Sequence, residues 1–147
     1  MTSTNSHDLD FYIAEWEMDS KINIEAIDRE SIKIPNLHAK YLTYLANERQ
    51  ILKKLVRKRK TLVLTLTDYY SGKIDGRDIG REPFPYNETK AGVEKRVEND
   101  PDILKIDALY DLQEEKILFL KEVITNINQR NFQLKTALDF IKFTSGV

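Results

Sequence analysis

Cysteine is absent from this 147-residue chain, which removes a disulfide framework and every thiolate metal site together. Histidine is nearly absent: His7 and His38 lie far apart and cannot form a zinc site by themselves. Only five glycines and four prolines occur, too little turn chemistry to punctuate a series of short strands. No run of eighteen apolar residues exists, so no membrane-spanning helix is expected. The opening MTSTNSHDLDF lacks the basic and apolar regions of a signal peptide. There is no glycine loop of P-loop type, which argues against an intrinsic ATPase. Acids are plentiful, but no spacing gathers them; Asp75, Asp78 and Asp107 make a metal site only by arbitrary assembly. These absences predict a soluble, intracellular non-enzyme without cofactor or metal.

What is present is charge, 32% of the chain against about a quarter in ordinary domains. The net charge of −1 conceals an uneven distribution. Residues 1–35 carry eight acids against three bases, a balance of −5. Residues 36–67 carry eight bases against Glu48 alone, a balance of +7. The remainder comes to −3.

The hydrophobic spacing predicts an all-α protein, organised as one helical domain over 1–147. An acidic N-terminal region, 1–35, holds a short helix at about 8–19 and a less regular segment that Pro35 ends. A basic helix follows at 36–70, with Tyr41, Leu45, Leu52, Leu55, Leu62, Leu66 and Tyr69 at a/d-like spacing, interrupted by Glu48 and Arg59. Ser71-Gly72 suits its end, with Gly72 in a left-handed cap. Residues 71–100 hold four glycines and two prolines and read as a loop. Within it, Asp75-Gly76 is a hairpin-like turn signal and 89–99 reads as a short helix. Asn99-Asp100-Pro101 then opens a second long helix, about 101–143, within a C-terminal segment 101–147. Its heptad stripe, broken at Gln113 and Asn131, includes Ile117, Leu120, Ile124, Ile127, Leu134, Leu138 and Ile141. A second apolar row (Leu109, Leu112, Phe119, Val123) widens the face beyond what one small partner covers. The stripe is therefore expected to oligomerise, the alternative being monomeric packing on helix 36–70.

The basic helix is the first candidate site. Arg49, Lys53, Arg57 and Lys60 fall along one face at helical spacing, with Lys54 and Lys58 beside it and Arg59 between. Such a ridge neutralises phosphates without reading bases. The competing readings are a solvated face paired with the acidic segment, or a basic import-like run. Tyr69 and Tyr70 are candidates for stacking on unpaired bases, or else amphipathic residues sealing the helix end. A tyrosine nucleophile is disfavoured, because few Arg, His or Lys groups are placed to converge on a phosphate.

The blocks DYYSGKIDGRD at 68–78, DILKIDAL at 102–109, RNFQLK at 130–135 and KYL at 40–42 resemble segments of the UvsY family of recombination mediators of T-even phages. The likeness covers roughly 30–147, and the first thirty residues align poorly. It implies a small helical protein forming a ring-like homo-oligomer, expected as a heptamer. It further implies sequence-independent binding of single-stranded DNA, with a phage recombinase and a single-strand-binding protein as partners. The implied activity is loading that recombinase onto strands coated with single-strand-binding protein, in the cytoplasm of the infected host and with no membrane contact. The alternative is a helical coiled-coil adaptor without DNA binding. The family's Lys and Arg just before DYYSG are Leu64 and Leu66 here, so that assignment does not carry over. The ridge from Lys53 to Lys60 is expected to supply phosphate contacts instead, with Lys73 and Arg77 adding to them.

Overall fold

The computed structural model describes residues 6–146 and is helical, with no strand among them. Four α-helices form it: α1 (Leu9–Asp19), α2 (Ile27–Tyr70), α3 (Lys90–Glu98) and α4 (Pro101–Thr144). One-turn 3-10 helices lie at Ile24–Ala26 and Gly76–Ile79. The starts follow local chemistry. Asp8 accepts from Phe11 N at 2.8 Å, Thr89 Oγ1 from Gly92 N at 3.1 Å, and Asp100 Oδ1 from Asp102 N at 2.9 Å. Pro101 occupies the first turn of α4, where its missing N–H costs nothing.

The basic helix starts earlier than its pattern suggested. α2 begins at Ile27 and runs through Pro35 instead of starting after it. Proline inside a helix loses one backbone hydrogen bond and costs about 3 kcal/mol, so something must offset it. The residues around it are held: Glu30 is buried and pairs with Lys33, and Lys40 and Tyr41 are anchored one to two turns further on. Asp28 and Glu30 also favour the N-terminal end of the helix dipole.

Contacts cluster in two compact units, 1–50 with 114–147 and 51–113. The first has Tyr12, Tyr41, Leu45, Ile117, Leu120, Val123, Ile127 and Leu134 as its core. Three buried charges interrupt it. Glu48, fully buried, accepts from Tyr12 Oη at 2.7 Å and lies 3.4 Å from Lys116 Nζ. Burial raises the Tyr12 phenol above its ordinary value, as does the Glu48 carboxylate. Arg130 donates to the Asp19 carbonyl at 2.7 Å, closing the C-terminal end of α1, and rests on the Trp16 ring. Asp19 and Glu15 hold Lys40, so these acids of the N-terminal region are spent there.

In the second unit, Leu66, Val93, Val97 and Ile103 form a core flanked by Leu62, Val63, Tyr70 and Ile79. Here α2 and α4 run antiparallel: Tyr70 meets Asp100, while Arg59, three turns back, meets Asp107. α3, the short helix expected at 89–99, contributes Val93 and Val97. No hairpin forms at Asp75-Gly76. Asp75 caps a 3-10 turn instead, accepting from Arg77 N, and Gly80 leaves it in the left-handed region.

Candidate nucleic-acid interface

No glycine or proline occurs between Asn36 and Tyr70, and the stretch is rich in Leu, Lys and Arg, all good helix formers. The helix turns Leu62 and Leu66 towards the core of the second unit. Lys53, Arg57 and Lys60 come out on the opposite side, at spacings of four and three. Together with Lys54 and Lys58 they are exposed, and none of the five makes an ion pair among the described residues. Arg59 differs: it forms a two-pronged pair with Asp107, its Nε donating to Oδ1 and its Nη2 to Oδ2. Its charge is thus partly answered within the fold. Arg49 is exposed on the same helix but belongs to the first unit.

Leu64 and Leu66, the positions that the resemblance matches to cations, face in different directions. Leu66 is 1% exposed and sits in the core, so it can touch no strand. Leu64 is 65% exposed and lies on the ridge side, an apolar interruption between Lys60 and the end of the helix.

At that end Gly72, at φ 81°, takes the left-handed cap conformation expected for it. Tyr69 is buried and Tyr70 half-buried, and both hydroxyls are engaged within the fold. Tyr69 is 8% exposed and its hydroxyl donates to the Glu82 carbonyl at 2.8 Å. Tyr70 donates to Asp100 Oδ2 at 2.6 Å. Asp100, whose side chain is wholly buried, also receives both Arg81 Nη1 at 2.6 Å and Nη2 at 2.8 Å. The guanidinium holds the Asp100 carboxyl down to about 2, well below its ordinary 3.8, against the opposing effect of burial. Arg81 continues to Asp102 at 2.7 Å and covers the Tyr69 ring. The DYYSG segment therefore clasps the end of α2 to the loop and to the start of α4, which is the sealing role. Of the loop cations, Lys73 is exposed without an ion pair among the described residues, whereas Arg77 folds back onto Asp75. Asp75 and Asp107 are thus each engaged with an arginine.

Beside these tyrosines, an aromatic ring that the sequence patterns did not single out faces outward. From Tyr69 and Tyr70 the rings continue to Phe84, at 5.8 and 5.0 Å, and from Phe84 to Tyr86, at 5.5 Å. Tyr86 is 62% exposed. Arg96 on α3 places its guanidinium 4.9 Å from the Phe84 centroid and 5.5 Å from that of Tyr86, and Glu88 holds it at 2.7 Å. The signal was Pro83-Phe-Pro-Tyr86. Each proline forces the preceding residue into extended backbone, and residues two apart in extended chain point the same way.

On α4 the expected oligomer stripe divides. Ile117, Leu120, Ile127 and Leu134 are buried within the protomer and Ile124 is half-buried, leaving only Leu138 and Ile141 more than a third exposed. The inward polar position is Arg130, where strict heptad counting had placed Asn131 in the stripe. The buried line there runs Val123, Ile127, Arg130 and Leu134, at helical spacings of four, three and four. Leu118, Phe132, Phe140 and Phe143 are exposed as well.

A family profile described as recombination, repair and ssDNA binding protein UvsY matches residues 15–147. Among solved structures, the bacteriophage T4 recombination mediator protein UvsY in lattice type II is 22% identical. It superposes with a TM-score of 0.82 over 95% of this chain and 98% of that one. Lattice type I of the same protein gives 22% and 0.80, and lattice type IV 20% and 0.79, each over 94% of this chain and 99% of the other. No match is found among curated protein sequences.

Proposed function

The chain belongs to the UvsY family of recombination, repair and single-stranded-DNA-binding proteins, and on that premise we propose that it grips single strands through Lys53, Lys54, Arg57, Lys58 and Lys60. The observation that carries this is five exposed cations on one helical segment, none spent on an internal acid. Lys73 extends the same positive surface. Arg59 and Arg77, already paired, contribute less. The contacts are to phosphates and therefore indifferent to sequence.

The activity is mediation without catalysis: the protein loads a phage recombinase onto strands coated with single-strand-binding protein, in the cytoplasm of the host. Self-assembly into a ring uses the apolar surface that α4 leaves open, Leu138 and Ile141 with Leu118, Phe132, Phe140 and Phe143. No described helix is long and apolar enough to cross a membrane.

The test is a salt titration of oligonucleotide binding by fluorescence anisotropy. Five phosphate contacts per protomer give a slope of log K against log salt of about −3.5, or roughly a hundredfold loss between 50 and 200 mM. Replacing Lys53, Arg57 and Lys60 by alanine leaves two contacts and a slope of about −1.4. An unchanged slope refutes the ridge. In the same preparation the protein should stimulate recombinase ATPase on coated strands and cleave nothing; a coiled-coil adaptor would show neither strand affinity nor stimulation.

A further inference from the structure

We infer that Tyr86, backed by Phe84 and Arg96, is a stacking platform for one unpaired base of the bound strand. The inference rests on the single-strand reading above and adds to it a contact of different chemistry, made to a base instead of a phosphate.

Three observations carry it. Tyr86 keeps 62% of its surface in water, and its hydroxyl has no hydrogen bond among the described residues. In this it differs from Tyr12, Tyr41, Tyr69 and Tyr70, each of which bonds a partner through the hydroxyl. Second, the ring is held in place. Phe84 packs against it at 69° between planes, the prolines on either side of Phe84 limit the backbone, and the Arg96 guanidinium lies over both rings. A platform fixed beforehand loses little freedom when a base arrives. Third, a cation adjoins it: the Arg96 guanidinium lies over the ring, and Arg96 also lines a hollow with Lys95, Glu88, Gly92 and Asn99, where Lys95 is exposed without an ion pair among the described residues. Phe84 touches Tyr70 at the end of α2, some ten residues or about 15 Å of helix beyond Lys60, within the same compact unit. The two tyrosines that sequence suggested for stacking are the inner end of this same aromatic row, and Tyr86 is its outer end.

Stacking on an aromatic side chain is sequence-tolerant and changes affinity by roughly 5- to 150-fold per base. The experiment compares a thymidine oligonucleotide with a strand of equal length built from abasic sugar phosphate, using the full-length protein. The wild type should prefer the base-bearing strand by a factor in that range. Tyr86→Ala should bind the abasic strand as the wild type does and lose the preference, while Tyr86→Phe keeps it. Tyr86→Trp supplies a second readout: its added fluorescence should be quenched by the base-bearing strand and not by the abasic one. Equal wild-type affinity for the two strands, or a preference that survives Tyr86→Ala, overturns the platform and leaves the phosphate ridge standing. Binding to neither strand overturns the single-strand reading and the platform with it. Unchanged strand preference with lost recombinase stimulation in Tyr86→Ala would assign this surface to a protein partner instead.

Discussion

Replacing Asp100 by asparagine removes one negative charge from the point where α2, the loop and α4 meet. Its carboxylate accepts from both Arg81 nitrogens, from Tyr70 and from Asp102 N, and its side chain has no solvent exposure. Asparagine keeps one acceptor oxygen, but its NH2 group would face a guanidinium that can only donate. The depression from 3.8 to about 2 corresponds to about 2 kcal/mol of native-state preference for the ionised form. Breaking a buried pair from one side costs 3–5 kcal/mol in general. Arg81 is about a quarter exposed and retains Asp102, so roughly 2–3 kcal/mol is the expected loss here. For a chain of this size that is a Tm lower by roughly 5–10 °C. Asp100 holds its proton more weakly when folded than when unfolded. Its contribution is therefore complete above the unfolded value near 3.8 and fades as pH falls towards about 2. Thermal unfolding followed by circular dichroism at pH 7, and stepwise from pH 5 to 2, measures both effects. The variant should melt lower at pH 7 and lose less on acidification than the wild type. A Tm within 1 °C of wild type at pH 7, or an identical acid response, would refute the assigned role of this cluster.

Two further outcomes follow from the packing. Gly76 is buried, and a Cβ there would collide with the Glu82 carbonyl and lie 2.8 Å from that of Arg81. Gly76→Ala should cost about 1–3 kcal/mol, and limited proteolysis should then cut faster within 73–82; unaltered cleavage would mean the loop yields at no cost. Phe140 and Phe143 are 67% and 85% exposed on α4. Changing both to glutamate should reduce the particle mass seen by light scattering while leaving helical content intact, and an unchanged mass would remove this end of α4 from the assembly surface.

Much of the architecture could be read from residue order, because helix ends and helix faces are local properties. Asn99-Asp100-Pro101 marks the start of α4 since a capping carboxylate and a proline serve free N–H positions there. Ser71-Gly72 marks the end of α2 since only glycine enters the left-handed region without strain. The two long helices, the loop between them and the exposed cations at Lys53 to Lys60 all came from rules spanning four residues or fewer. The early start of α2 at Ile27 did not. Local rules price Pro35 as a helix break, whereas anchoring through Lys40 and Tyr41 to α1 comes from residues about twenty positions away.

By itself, then, the sequence determined an all-α chain, a basic helical face and a wide apolar stripe on α4. Only the tertiary structure decided which of those groups remain available. Periodicity gives a residue its face, but whether that face is consumed depends on partners distant along the chain. Arg59 is engaged by Asp107, Ile117 to Leu134 are largely buried within the protomer, and Tyr69 and Tyr70 are drawn inward by Glu82 and Asp100. The same folding that withdrew those tyrosines left Tyr86 at the surface, because two prolines and Arg96 hold its ring outward.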